Sequence, residues 1–246
     1  MSLRTLAIIQ ARMGSTRLPG KVLSEIKGKP LILHMIERLR RCKKIDHLVL
    51  ATSTSPRDKI LIETAKQNGV DVFAGSEADV LDRFYQAARL HSPEQVVRLT
   101  GDCPLIDPVV TDLVIDHHLK KRADYTSNVV TRCYPRGLDT EVMTFKALEK
   151  AAKEAARPHE REHVTPYFYE HPKLFSIEQV VAGPAEFMPD LRLTVDTPED
   201  LALVTQIFLS LYDKKPDFSL DDILQLIKDK PQLKNLNAHV QQKAAF

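Results

Sequence analysis

The chain has 246 residues, 43% of them hydrophobic, with 35 Lys and Arg against 33 Asp and Glu, enough apolar content for a folded core and against disorder as the default state. A formal charge of +2 offers no whole-molecule field to gather nucleic acid or an anionic membrane, so any anion binding has to be local. Three scattered cysteines, Cys42, Cys103 and Cys133, fit neither a disulfide framework nor a zinc knuckle; with no apolar leader and no run long enough to span a bilayer, they point to a reducing, cytoplasmic setting.

Short β-branched runs alternate with amphipathic stretches along the chain, the pattern of a mostly parallel sheet with helices on both faces. "TLAIIQ" predicts a first strand, "PLILHMIERLRRC" a helix with Pro30 near its first turn, and "HLVLAT" a second strand. "RDKILIETAKQNG" reads as a helix stopped by Gly69, "VDVFAG" as a strand, "DVLDRFYQAARLH" as a helix, "QVVRLTGDCPLID" as a strand running into a turn, and "PVVTDLVIDHHLKK" as a helix with His117 and His118 in a solvated end. The less regular stretch at about 124–172, rich in Tyr, Pro and His, reads as an insertion within a single domain that shapes a pocket. "FSIEQVVA" and "LRLTV" then predict strands and "PEDLALVTQIFLSLY" a helix, before a helical tail at about 213–246. There Ser219 can cap "LDDILQLIKDK", whose apolar face needs its own core or a second subunit.

In an open parallel sheet, ligands sit beyond the carboxyl ends of the strands, which selects the loop "ARMGSTRLPGK" after the first strand. Arg12, Arg17 and Lys21 supply cations, Ser15 and Thr16 hydroxyls, and Gly14 and Gly20 places where backbone N–H groups can approach an oxygen, a set suited to a polyphosphate. It is not a Walker A loop, because five residues separate Gly14 from Gly20 and Val22 follows Lys21 where a Ser or Thr is required; nor does it match G-x-G-x-x-G. A solvated basic turn has the same composition. Downstream, Asp102 could be a turn residue, and "DTPED" is a complete helix start with Thr197 as cap, Pro198 first and Asp200 third. "HEREH", His159 to His163, matches H-E-x-x-H, but its flanks do not anchor a zinc helix and no third ligand is evident.

The opening loop resembles the signature loop of the cytidylyltransferases that activate sugars, the 3-deoxy-manno-octulosonate and acylneuraminate enzymes. "RLTGDCPLIDP" and "LTVDTPEDL" resemble two further blocks of that group. "GSEADVLDRFYQAA", "YPRGLDTEV" and "REHVTPY" look most like the branch of the spore coat polysaccharide biosynthesis protein F. The resemblance implies a three-layer α/β/α, Rossmann-like nucleotide-diphospho-sugar transferase (GT-A-like) fold and transfer of CMP from CTP to a sugar, a sugar acid by analogy, for surface or spore-coat polysaccharide. It implies Mg²⁺ on Asp102 and Asp196, phosphate held by Arg12 and Lys21 with Arg17 and Ser15, and catalysis by Arg12, Lys21 and Asp102. A base pocket is implied near Ala11, Gly75, Ser76 and Thr100, and acceptor contacts from Arg136, Asp139, Glu141, Arg161, Glu162 and His163. The sequence departs from the octulosonate enzymes in carrying Cys103 where they have a glutamate and in its middle segment, which leaves the acceptor open. CTP and a small sugar are the expected partners, a homodimer is suggested by the resemblance and the apolar tail helix, and neither nucleic acid nor a membrane span is expected. A glycosyltransferase using a nucleotide-sugar donor and a non-catalytic nucleotide-binding scaffold are the alternatives; the first would be expected to carry Asp-x-Asp where this chain has "GDCP".

Overall fold

The computed structural model describes residues 4–242. In chain order its elements are β1 (Thr5–Gln10), β2 (Glu25–Ile26), β3 (Lys29–Pro30), α1 (Leu31–Leu39), β4 (His47–Ser53), α2 (Lys59–Gln67), β5 (Asp71–Gly75), α3 (Val80–His91), β6 (Gln95–Thr100) and α4 (Pro108–Lys121). The second half adds β7 (Tyr125–Ser127), β8 (Glu141–Thr144), α5 (Phe145–Glu154), α6 (Pro158–His163), α7 (Pro166–Glu170), β9 (Ile177–Gln179), α8 (Pro198–Leu211) and α9 (Leu220–Asp229).

Seven strands form one sheet in the order β5-β4-β1-β6-β8-β7-β9. β1, β4, β5 and β6 pair in parallel, β8 runs against both β6 and β7, and β9 is parallel to β7. Central β1 shows why the sheet is buried on both sides. Alternate side chains point to opposite faces, so Ala7 and Ile9 join one apolar cluster with α1, α2, α4, α8 and α9, while Leu6 and Ile8 join another with α3, α5 and α7. The expected mostly parallel sheet between two helical layers is the architecture observed. The 124–172 segment contributes β7 and β8 to this sheet as well as α5, α6 and most of the turn structure around them.

Local chemistry sets the helix ends. Asp107 accepts from Val109 N and Val110 N, with Pro108 in the first turn of α4, and Arg122 closes that helix in the left-handed region. The apolar face of α9 packs within the chain, where Leu220, Ile223, Leu224 and Ile227 are buried and neighbouring Phe218 lies edge-on to Phe208. The tail helix therefore needs no second subunit to cover it.

Two sequence expectations are corrected. "LRLTV" is not a strand: its single ladder contact is the isolated bridge Arg136↔Arg192, made possible because Gly137, at φ 103°, brings its backbone against Leu193 and Thr194, where a Cβ would lie 2.6 Å from Leu193 C. His118 is not solvated but buried, with Nε2 2.9 Å from Gln95 Oε1 and Nδ1 2.9 Å from Thr126 Oγ1. Since the Gln95 oxygen can only accept, Nε2 donates and Nδ1 accepts the hydroxyl, a neutral imidazole. Burial pushes its pKa down to about 4, against the pull of Asp124 and with help from His117.

Gly137→Ala should destabilise the fold by ~1–3 kcal/mol through strain and overpacking, read from denaturant midpoints. A depressed histidine pKa means that the unfolded chain binds the proton first, so stability is lost as pH falls from about 6.5 to about 4, by ~3 kcal/mol at most for His118. Unfolding free energies across that range should show the slope, and His118→Gln should remove this share of it.

Candidate active site

The register of the two central strands, Gln10↔Thr100, delivers the loop after β1 and the turn after β6 to the same edge. Gly101 N donates to Gln10 O at 2.8 Å, and a Cβ at 101 would sit 2.7 Å from Ala11 Cβ, so only glycine allows these two turns to pack together. The β1 loop folds back on itself, with Ser15 N and Gly20 N both donating to Met13 O. It is pinned to the end of β4 by Asp58, whose buried carboxylate accepts from Met13 N, Thr52 Oγ1, Ser53 N and Ser53 Oγ. Burial alone would raise the Asp58 pKa; the Ser53, Met13 and Thr52 donors outweigh it and hold the group ionised below the usual range.

From this loop Lys21 reaches inward. Its Nζ donates to Asp102 Oδ2 and Asp196 Oδ1, both at 2.8 Å, joining residues separated by 81 and 175 positions in sequence. Arg17 takes the other oxygen of Asp196 at 2.9 Å, and Arg192 approaches it at 3.3 Å. Burial disfavours the Lys21 ammonium, but Asp102 and Asp196 more than compensate, so its pKa lies above the ordinary lysine value. Asp196 is the mirror case: burial would raise it, while Lys21, Arg17 and Arg192 hold it below the ordinary carboxylate range.

In "DTPED" the helix cap and the carboxylate that faces the cleft are different residues. Thr197 and Asp200 form the capping box of α8, and fully buried Asp200 takes Arg192 through both its oxygens while accepting from Asp196 N, Thr197 N and Asn237 Nδ2. Burial opposes the Asp200 charge and these donors overcome it, leaving its pKa lowered. Asp196 stands outside the cap, its carboxylate directed at Lys21 and Arg17. These groups line a cleft of about 620 Å³ together with Ala11, Arg12, Ser15, Glu77, Arg83, Thr100, Glu162 and His163. A cleft lined by both cations and carboxylates can bind a polyphosphate and a cation side by side.

Residues 6–244 match the family described as Cytidylyltransferase. The chain belongs to the cytidylyltransferase family. Among its relatives, the spore coat polysaccharide biosynthesis protein SpsF of Bacillus subtilis is 37% identical over 92% of this chain and 95% of its own. A 3-deoxy-manno-octulosonate cytidylyltransferase of Solibacter usitatus is 30% identical over 85% of this chain and 96% of its own. The solved structure of a cytidylyltransferase from Leptospira borgpetersenii superposes with a TM-score of 0.89 at 34% identity, covering 98% of this chain and 99% of that one.

Within this family member the structure gathers Ala11, Arg12, Ser15, Arg17, Lys21, Thr100, Asp102, His163 and Asp196 around one cleft. Gly75 and Ser76 are outside the lining, just ahead of Glu77 and Ala78, which belong to it. Arg136, Asp139 and Glu141 are also outside it. Asp139 pairs with Arg132, and the buried Glu141 spends one oxygen on Arg98 and the other on Tyr125 OH, 2.5 Å away. Arg161 turns to Asp79 and the carbonyl of Ala152. His159 and His163 do not converge: His159 meets Glu170 at 3.1 Å while His163 faces the cleft, and Arg157 ties Glu160 to Glu170. Cys103 is a buried filler whose thiol is pushed well above the usual value by burial.

Sequence reasoning missed Asp58, Arg83 and Arg192, and it found Asp200 only as a cap residue and not as the partner of Arg192. Asp58 follows the carboxyl end of β4, so the strand-end rule could have found it. Arg83 is buried beneath the cleft with Nη1 donating to Ser76 O at 2.7 Å, which anchors the β5–α3 turn; a helical arginine gives no such signal in sequence. Asp200→Ala would remove the two-oxygen partner of the buried Arg192 guanidinium and should cost about 3 kcal/mol of unfolding free energy, whereas Asp200→Asn, which keeps an acceptor, should cost less. Urea titrations of the two variants check the order.

Proposed function

We propose that this chain transfers CMP from CTP to an oxygen of a sugar, with a sugar acid as the acceptor class, and releases pyrophosphate. The observation that carries the reading is the single Lys21 ammonium held between Asp102 and Asp196 at the mouth of a cationic loop. Membership of the family and the likeness to an octulosonate cytidylyltransferase support the nucleotide and the acceptor class; the likeness to SpsF supports a product used in surface or spore-coat polysaccharide assembly, made in the cytoplasm where CTP is available.

The attacking sugar oxygen forms a bond to the α-phosphorus as the bond to the pyrophosphate oxygen breaks, and the proton of the attacking hydroxyl passes to solvent water. Such a displacement depends on positioning and charge neutralisation. Arg12 and Lys21 hold the β- and γ-phosphates, Arg17 supports them, and Ser15 offers a hydroxyl at the cleft wall. Thr100 and Ala11 line the side on which the base is read. His163 and Glu162, which line the same cleft, meet the acceptor.

Three cations, Arg17, Lys21 and Arg192, face three carboxylates, Asp102, Asp196 and Asp200, in this network. A triphosphate that recruits Lys21 and Arg17 leaves Asp102 and Asp196 short of positive charge. Their oxygen-only donor set fits a hard divalent cation, Mg²⁺, which when bound neutralises phosphate charge and orients the leaving group.

CTP with Mg²⁺ should raise the melting temperature more than UTP, ATP or GTP, since a ligand at about 100 times its dissociation constant adds about 2.7 kcal/mol. Pyrophosphate release should follow with one member of a sugar-acid panel, and Asp102→Asn should lower it by on the order of 10²-fold or more with the fold intact. Equal stabilisation by all four nucleotides would sink the base assignment, and full activity of Asp102→Asn would remove that residue from the chemistry.

A further inference from the structure

At the amino ends of β4 and β5, remote from the cleft at the carboxyl ends of the strands, three side chains from distant parts of the chain converge. His47 opens β4, Asp71 opens β5 and His91 ends α3, and one ligand atom from each lies within 4.8 Å of the other two. His47 Nε2 is 2.9 Å from Asp71 Oδ2, and the two imidazole rings are 5.0 Å apart between centroids at an interplanar angle of 38°. We propose that His47, Asp71 and His91 form a second metal site, selective for Zn²⁺ over Mg²⁺, that staples β4, β5 and α3 together.

Four observations carry it. First, the donor set is two imidazoles and one carboxylate, which suits a borderline ion such as Zn²⁺ and is foreign to Mg²⁺. Second, the spacing is close to what is required: donors about 2.0–2.1 Å from a tetrahedral ion lie about 3.3 Å apart, and the His47–Asp71 pair is already that close. Third, no positive side chain occupies the centre, because among the described residues Asp71 pairs with His47 and with no lysine or arginine. The other group of comparable geometry, His159, Glu160 and Glu170, differs on this point, with the Arg157 guanidinium bound to both of its carboxylates. Fourth, the histidines are half-buried and Asp71 is exposed, so three protein ligands are held while a fourth position stays open to water.

His91 is also kept available as a neutral ligand: burial and the neighbouring His47 lower its pKa, against Asp71. A bound ion would lock the two parallel strands β4 and β5 to the helix that follows them. At their other ends these elements carry Asp58 and the β5–α3 turn that shape the cleft, so the staple would stiffen the scaffold without entering the chemistry.

The test uses the full chain without a polyhistidine tag. Zn²⁺ titrated by calorimetry should show an equivalent that His91→Ala loses, and the Zn²⁺-induced rise in melting temperature should be lost with it. His47→Gln should weaken the same equivalent and serves as a second probe if truncation at 91 disturbs packing. Glu170→Gln should leave both readouts unchanged, and Mg²⁺ should give no shift that depends on His91. Absence of any Zn²⁺-induced shift in the parent chain, or a shift and stoichiometry that survive in both His91→Ala and His47→Gln, overturns the proposal.

Discussion

One ammonium group shared by two carboxylates organises this molecule. Side by side in a partly buried cleft, the carboxylates of Asp102 and Asp196 repel each other. Lys21, 2.8 Å from each, places a positive charge between them and offsets that repulsion. The residue does so from a loop pinned by Asp58 on one side and threaded past Gly101 on the other, so the charge balance and the path of the backbone constrain each other. Around this centre Arg17 and Arg192 take up the remaining face of Asp196, and Asp200 fixes Arg192. The result is a cleft whose surface is nearly neutral in sum yet strongly divided in sign, suited to a ligand that carries its own large negative charge.

Much of this could be read from the sequence because it depends on short-range signals. The β1 loop declared its purpose through three cations and two glycines within ten positions, and the helix starts at Asp107, Thr197 and Ser219 declared theirs through side chains that accept from their own first turn. Short β-branched apolar runs identified the buried strands, but "LRLTV" showed the limit of that signal, since an apolar run reports which side chains are buried and not whether the backbone finds a ladder partner. Here it found one bridge, to Arg136.

What the sequence withheld was every pairing between distant polar groups. Glu141 was grouped with sugar-binding candidates, and only the antiparallel register Arg98↔Glu141 places it beside an arginine inside the sheet. His118 sat in a polar stretch, and only the approach of α4 to the strand edge gives it Gln95 and Thr126 as partners. Asp58, Arg83 and Arg192 belong to the same class: buried charged groups whose cost is met by partners that no local pattern announces. The metal-ligand arithmetic of "HEREH" failed for the converse reason, since correct spacing on a helix does not ensure that the two imidazoles face one point.

The acidic wall of the cleft is supported from the far end of the chain. Asn237 Nδ2 reaches both the carbonyl of Arg192 and Oδ1 of Asp200, and Gln242 accepts from Arg192. Order in the segment around Asn237 is therefore felt, through Asp200 and Arg192, at the Asp196 carboxylate that faces Lys21.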